Sequence, residues 1–95
     1  MKTIQPQWRE TAAISQALMD VKEEIERALI KFPGMPASGH EQYAVILEEL
    51  DELWEHVKAN TGYSNKAYDE AKQVAAMAVK YMLMIGHRRH IQEGR

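Results

Sequence analysis

The fold of this chain is decided by residues 40–58, which read HEQYAVILEELDELWEHVK. Apolar side chains recur in this stretch at the i, i+3, i+4, i+7 spacing of one helical face. Ser38 precedes Glu41 by three residues, a spacing typical of the capping box that begins a helix. We therefore predict an amphipathic helix over about residues 39–60. Its apolar stripe consists of Tyr43, Ile46 or Leu47, Leu50, Leu53 or Trp54, and Val57.

A first helix is predicted before this stretch, over about residues 6–31, which makes residues 39–60 the second helix. Pro6 suits its first turn, where a missing N–H has no intrahelical partner to lose. Residues 32–39, FPGMPASG, contain two prolines and two glycines, and we expect them to end this helix. The apolar positions of the helix are Ile14, Leu18, Val21, Ile25, Ala28 or Leu29, and Phe32.

A third helix is predicted after residues 40–58, over about residues 64–86, with Ser64 or Asn65 as its cap. We expect Gly62 to end the preceding helix in a left-handed conformation. The second half of the third helix is apolar nearly all the way round, and such a helix needs burial on every side. Two sister helices of a 95-residue chain cannot supply that burial, so we expect a homo-oligomer. Residues 87–95 form a polar, basic tail.

Composition narrows the class of protein. The length of 95 residues predicts a single domain spanning residues 1–95, and the net charge of -2 argues against a dedicated nucleic-acid binder. Without cysteine there is no disulfide framework, thiolate metal site or cysteine nucleophile. No apolar run is long enough to span a bilayer, and no signal peptide is recognisable. We expect a cytoplasmic, all-α, three-helix protomer that assembles into an oligomeric helical bundle, with no membrane or nucleic-acid partner.

Three carboxylates on the second helix, Glu48, Glu49 and Glu52, share about one quadrant of its surface. Glu49 and Glu52 are i, i+3 neighbours, and like-charge pairs of this kind mildly destabilise a helix that has no cation nearby. Magnesium prefers carboxylate and water oxygens as ligands, so the group is a candidate magnesium site. The simpler alternative is a solvated acidic face.

The third helix adds a carboxylate, because Glu70 lies at the rim of its apolar face. A carboxylate there needs a partner, and carboxylates that face each other on packed helices are how helical bundles build metal sites. The Glu-x-x-His motif of di-iron bundles is absent at this place, since His56 has Leu53 three residues before it.

These residues carry a family resemblance. The run Glu48-Glu49-Leu50-Asp51-Glu52, followed by Glu70 on the next helix, resembles the MazG-like all-α nucleoside triphosphate pyrophosphohydrolases, in particular the short members of phages and mobile elements. The pattern of that family is Glu-Glu-x-x-Glu, a gap, and then Glu-x-x-Asp. The resemblance spans about residues 32–85. It departs from the pattern at one position, where this chain has Gln73 instead of the aspartate.

The resemblance implies hydrolysis of (d)NTPs to (d)NMP and pyrophosphate, for example as nucleotide house-cleaning. It implies Mg²⁺ as the cofactor, with Mn²⁺ as the alternative, and assembly into a dimer or tetramer. Carried over residue by residue, it makes Glu49, Glu52 and Glu70 metal ligands, with Gln73 as a fourth. It makes Glu48 either a further ligand or the base that takes a proton from the attacking water.

Weaker candidates surround this group. Lys31 and Lys58 can contact substrate phosphate, although a solvated surface lysine is the simpler interpretation of each. Trp8 is a candidate for a base or partner contact. Tyr43 and Trp54 can stack on a base, but both lie on the apolar stripe and fit a core position.

Two other functions remain open at this stage. Gln73 brings no charge to the metal position, so the chain can be a nucleotide- or metal-binding module without turnover. Alternatively, the chain is a structural interaction bundle whose acidic quadrant is solvated.

Overall fold

The computed structural model of the chain describes the backbone of residues 10–93 and the side chains of residues 10–86. It consists of three helices, α1 Thr11–Lys31, α2 Gly39–Lys58 and α3 Asn65–Glu93. Residues 10–93 contain no strand, which confirms the prediction of an all-α fold with three helices. None of these helices is long and apolar enough to cross a membrane.

Helix α1 begins later than the sequence predicts. The backbone of Glu10 is extended, and its side chain makes no capping hydrogen bond, so the helix begins at Thr11. The periodic apolar side chains of this helix start only at Ile14, and nothing in the pattern requires helix before that turn. Pro6, the predicted first turn, lies outside the described residues.

Helix α2 begins where the capping motif predicts. The hydroxyl oxygen of Ser38 accepts a hydrogen bond from the backbone N–H of Glu41, at 3.2 Å. The reciprocal bond differs from a standard capping box, because the Glu41 carboxylate accepts from the N–H of Ala37 at 3.0 Å instead of from Ser38.

The end of α2 corrects the prediction for Gly62. Asn60, with a φ of 61°, is the residue in the left-handed conformation, and no glycine among the described residues has positive φ. The N–H of Thr61 bonds to the carbonyl of His56 at 2.9 Å, and that of Asn60 to the carbonyl of Val57 at 3.1 Å. These two bonds define a Schellman motif, which requires the left-handed residue immediately after the C-cap. Asparagine tolerates that conformation, so the reversal comes two residues before Gly62.

Helix α3 is capped by Ser64, whose hydroxyl accepts from the N–H of Ala67 at 3.1 Å. The helix does not end before Gly86, as predicted, but continues to Glu93. A single helical glycine costs only about 1 kcal/mol, and the sequence from residue 87 to residue 93 contains no further glycine or proline. The first seven residues of the predicted tail therefore have a helical backbone.

Helix α3 lies between the other two helices. Helix α2 packs on it antiparallel, since Gln42 contacts Met77 near one end and Glu52 contacts Glu70 further along. Helix α1 packs on it parallel, with the Tyr68 hydroxyl donating to the carboxylate of Asp20. Over the described residues α1 and α2 do not pack on each other, which leaves a cleft between them.

The buried core of this part of the chain is small. Its buried apolar side chains are Ala67, Ala76, Met77 and Met84, all on α3. The predicted apolar stripe of α2 lies instead on the protomer surface, where Tyr43 is 62% exposed and Trp54 is 54% exposed. The interpretation of these two aromatic residues as core is therefore wrong for the single chain, because α2 turns a different face toward α3.

Candidate functional site

A cleft of about 990 Å³ opens between α1 and α2. The residues 32–36 that connect α1 to α2 contribute to its wall. Helix α3 forms its floor from Glu70 to Lys80, a separation of ten positions that corresponds to about 15 Å of helix. The cleft therefore has an acidic end near Glu70. Lys80 lies at its other end, and the lining also includes the cations Arg27 and Lys31 and the carboxylate Glu41.

Three carboxylates converge at the acidic end. Glu49, Glu52 and Glu70 each place one carboxylate oxygen within 4.8 Å of the others. Glu49 lies seven residues after Gln42, and Glu70 lies seven residues before Met77. Seven residues are close to two helical turns, so the Gln42–Met77 contact sets Glu49 opposite Glu70 on the antiparallel pair. The sequence-based grouping of these three residues is thus reproduced in space.

The convergence raises the pKa of two of these carboxyl groups. Burial raises the pKa of Glu49 to about 7, together with the charge and hydrogen bonding of Glu52 and the charges of Glu70 and Glu48. Burial also raises the pKa of Glu70, together with hydrogen bonding to Glu52 and its charge, although the nearby His56 acts in the opposite direction. The ionised forms of Glu49 and Glu70 are therefore destabilised by burial and by neighbouring charge, and a bound cation would relieve the repulsion.

The donor set fits a hard divalent cation. The three side chains supply oxygen alone, the donor type of Mg²⁺ and Mn²⁺ sites. Neighbouring ligand oxygens of an octahedral Mg²⁺ lie about 3 Å apart and opposite ones about 4 Å apart, given metal–oxygen distances of about 2.1 Å. A separation of up to 4.8 Å needs only a small closure of these side chains. Glu49, Glu52 and Glu70 would thus hold the ion.

The other two motif residues also line the cleft. Glu48 is exposed beside the cluster and close enough for its charge to contribute to the raised pKa of Glu49. Gln73 lies one turn beyond Glu70 on α3 and lines the same cleft, as does the Glu24 carboxylate of α1.

The weaker candidates separate into three cases. Lys31 lines the cleft, and its ammonium nitrogen lies 5.4 Å from the centre of the Phe32 ring. Lys58 is not among the residues that line the cleft, and its ammonium pairs with Glu55 at 2.9 Å. Trp8 lies outside the described residues.

Sequence reasoning missed one buried carboxylate of the cleft. Glu24 of α1 is 6% exposed and accepts two contacts from the guanidinium of Arg27, at 2.5 and 2.6 Å. The ammonium of Lys72 lies 4.0 Å from the same carboxylate. Burial raises the pKa of Glu24, but hydrogen bonds from Arg27 and Gln73 and the charges of Arg27 and Lys72 outweigh it, so the pKa lies below its ordinary value.

A signal for Glu24 exists in the sequence. It lies three residues after Val21 and four before Ala28, a spacing that places it on the apolar side of α1. Lys80 of α3 also lines the cleft. It too is a charged residue among apolar ones, since it interrupts the apolar run of residues 75–85.

Comparison with known proteins gives no matching family model, and no match among curated sequences or solved structures. The likeness to MazG-like enzymes thus stands on the motif residues of this chain, and function has to be argued from the geometry of the cleft.

Proposed function

We propose that this protein is a divalent-metal-dependent nucleoside triphosphate pyrophosphohydrolase of the MazG-like kind. The observation that carries the proposal is the convergence of Glu49, Glu52 and Glu70 at one end of a cleft whose lining also contains Lys31 and Lys80. A carboxylate cluster alone would repel a triphosphate. A cleft that combines metal-binding carboxylates with lysines matches the charge pattern of a metal–triphosphate complex.

Each charged residue of the cleft has a role in this proposal. Glu49, Glu52 and Glu70 would hold Mg²⁺ or Mn²⁺, which supplies charge neutralisation of the phosphates and lowers the pKa of a bound water. Glu48, next to the cluster, would take a proton from the attacking water. Lys31 and Lys80, which line the same cleft, would contact phosphate oxygens.

Self-association is part of the proposal. The apolar side chains Tyr43, Leu47, Leu50, Trp54 and Val57 are exposed along one face of α2. Their alternating spacing of four and three residues is that of a coiled-coil seam. Covering this seam with the same face of a second copy would form a dimer. Two dimers would form a tetramer if the exposed apolar residues of α3 also packed against each other. Cytoplasmic house-cleaning of nucleotides is the setting that this activity would suit.

The proposal is tested by measuring pyrophosphate release from a panel of NTPs and dNTPs with Mg²⁺ or Mn²⁺. We expect metal-dependent release that falls at least about 100-fold in Glu49→Gln, since removing one charged ligand weakens the metal site. Glu55→Gln is the matched control, because Glu55 is an exposed carboxylate of the same helix that does not line the cleft. A native chain that neither releases pyrophosphate nor binds nucleotide would refute the proposal. That result would favour a structural bundle.

One observation favours the binding module without turnover as the second candidate. Gln73 occupies the aspartate position of the motif and brings no charge to it. That candidate predicts nucleotide binding without pyrophosphate release in the native chain, and release in Gln73→Asp. Because the Glu24 carboxylate lines the same cleft, the same change is also made together with Glu24→Gln.

A further inference from the structure

Gln42 joins α2 to α3 and also lines the cleft. Its amide nitrogen lies 2.8 Å from the main-chain carbonyl oxygen of Met77 and 4.0 Å from the sulfur of the same residue. A main-chain carbonyl only accepts hydrogen bonds, so the NH₂ group of Gln42 is the end of the amide that faces Met77. Met77 therefore fixes which way round the amide lies.

The carbonyl oxygen of Gln42 is the free end of this amide. It accepts no hydrogen bond from the described residues, although the side chain is nearly completely buried. Within the same part of the chain, no buried side-chain oxygen or nitrogen lacks a hydrogen-bond partner, so this oxygen is not sealed in the core. It therefore belongs to the small accessible part of Gln42 and faces the cleft.

An acceptor at this place separates the two halves of a nucleotide. Ionised phosphate oxygens are acceptors themselves, so phosphate has no hydrogen to offer Gln42. Met77 lies seven residues after Glu70, or about 10 Å along α3, so phosphates held by a metal at the acidic end leave the level of Gln42 to the nucleoside. Lys31 and Lys80 carry their charges on flexible four-carbon stems, so their own level does not fix where they bind phosphate.

Apolar side chains accompany this acceptor in the cleft. Phe32 and Met35 of the connection and Val45, one turn after Gln42, line it, and both Phe32 and Met35 are exposed. Ligand sites are mostly apolar with a few polar groups that fix the orientation of the ligand. A single acceptor among apolar side chains suits a nucleoside, whose flat base buries apolar surface and whose N–H and O–H groups donate.

We propose that Gln42 is a specificity-determining residue, whose side-chain carbonyl oxygen accepts a hydrogen bond from an N–H or O–H group of the bound nucleoside. This inference rests on the proposed function, because it assumes that a metal-bound triphosphate occupies the acidic end. The amide is pre-oriented by Met77, so no side-chain freedom is lost when the nucleoside binds. A nucleotide without the matching donor would leave the oxygen unpaired and would be discriminated against.

The test compares nucleotides that differ by one donor group. On the base, purine riboside triphosphate replaces ATP and 2-pyrimidinone riboside triphosphate replaces CTP, while GTP and UTP are compared with derivatives methylated at the ring N–H. On the sugar, each NTP is compared with its dNTP. We expect loss of the matching donor to lower kcat/KM about 10-fold in the native chain, the size of one hydrogen bond. If nucleotide binds without turnover, the Kd measured with Mg²⁺ replaces kcat/KM.

Two variants connect this discrimination to Gln42. Gln42→Met removes the amide at nearly constant length, and the ratio within the discriminating pair should fall to about one. A loss of stability in this variant lowers the values for both nucleotides of a pair and does not alter their ratio. Met77→Leu is the matched control, because it removes the sulfur but keeps the main-chain carbonyl that holds the amide, and it should retain the native ratio.

A second measurement needs no variant. The side-chain carbonyl carbon of Gln42 should shift downfield in the nuclear magnetic resonance spectrum of the native chain when its oxygen accepts a hydrogen bond. We expect this shift with the preferred nucleotide and not with the analogue that lacks the donor, both at saturation. Because a methyl group also adds bulk, this resonance decides the comparisons that use methylated bases.

The outcomes distinguish this inference from the proposed function. A native chain that neither hydrolyses nor binds nucleotides would overturn both. If nucleotides are hydrolysed or bound but the Gln42 resonance stays in place with all of them, or the ratio of the discriminating pair persists in Gln42→Met, the role of Gln42 is overturned and the function remains. A ratio lost within a base pair of analogues identifies a base N–H as the donor, and one lost between NTP and dNTP identifies the ribose hydroxyl.

Discussion

Gln42 of α2 donates a hydrogen bond from its side-chain amide to the main-chain carbonyl oxygen of Met77 in α3, at 2.8 Å. Gln42 is 2% exposed and is the largest fully buried side chain of the described residues. A buried polar side chain in this position favours a single register of the two helices, since a shift by one residue would leave its amide without a partner. The same register places Glu49 opposite Glu70.

Replacing Gln42 by alanine is expected to destabilise the chain by about 2 kcal/mol or more. The change removes a buried hydrogen bond and leaves a cavity against α3. The free energy of unfolding in urea, measured without metal, gives the comparison. Gln16→Ala is the control, because Gln16 donates to Asp20 at 2.9 Å on the exposed surface of α1. Its cost should stay below about 0.5 kcal/mol, and equal costs for the two variants would contradict the role assigned to Gln42.

The acidic cluster could be predicted from the sequence because its geometry is local. Glu49 and Glu52 are neighbours on any α-helix, and the short connection between α2 and α3 makes an antiparallel pair, which brings Glu70 to the same level. Glu24 was not predicted, although its spacing indicated the apolar side of α1. The buried charge of Glu24 is paired with Arg27 and Lys72, and the position of Lys72 relative to α1 is fixed only by tertiary packing.

Two other predictions failed for reasons that residue preferences do not contain. Glycine is the usual left-handed cap, yet the hydrogen bonds of the turn require that conformation at Asn60, where α2 has already ended. The apolar stripe of α2 was identified correctly as a stripe. Which helix covers it is not determined by its own periodicity, and within the single chain α3 covers a different face of α2.

Gly39 is expected to be sensitive to substitution because of Tyr81. A Cβ added to Gly39 would lie 2.8 Å from the Tyr81 hydroxyl oxygen, and 3.5 Å from the nearest ring carbon. Gly39→Ala should therefore destabilise the native chain, since the tyrosine has to move. In a Tyr81→Phe background the clash is removed, and the same substitution should become neutral or stabilising, because alanine has the higher helix propensity. Unfolding midpoints of the four chains test this reversal of sign, and a Gly39→Ala effect that is the same in both backgrounds would disprove it.

The metal-free chain is expected to lose stability as pH rises from about 4.5 to about 7. The pKa of Glu49 is about 7 in the folded chain, against an ordinary value of 4.5. The folded state therefore holds a proton that the unfolded state has released, and a rise in pH through this window favours unfolding. The raised pKa of Glu70 acts in the same direction. Above about pH 8 the loss should be complete.

Glu49→Gln provides the check on this pH dependence. We expect it to flatten the curve of unfolding free energy against pH and to exceed the native chain in stability at pH 8, where the native carboxylates repel each other. Glu55→Gln, an exposed change on the same helix, should retain the native curve. Saturating Mg²⁺ should stabilise the native chain at pH 8 and much less at pH 5, because protons compete for the same oxygens. An unfolding free energy of the native chain that rises with pH between about 4.5 and about 7 would contradict the raised pKa of Glu49.

The exposed stripe of α2 is expected to hold two copies of the chain together. Leu50 is at its centre, between Leu47 and Trp54, and a charged side chain there would have to be desolvated in the interface. Leu50→Lys should therefore convert a dimer or larger assembly into monomers, as measured by sedimentation velocity over a range of concentrations. Asp51→Lys introduces the same side chain at the next, exposed position and should leave the assembly intact. A native chain that sediments as a monomer at all concentrations, or equal effects of the two variants, would rule out the stripe as the interface.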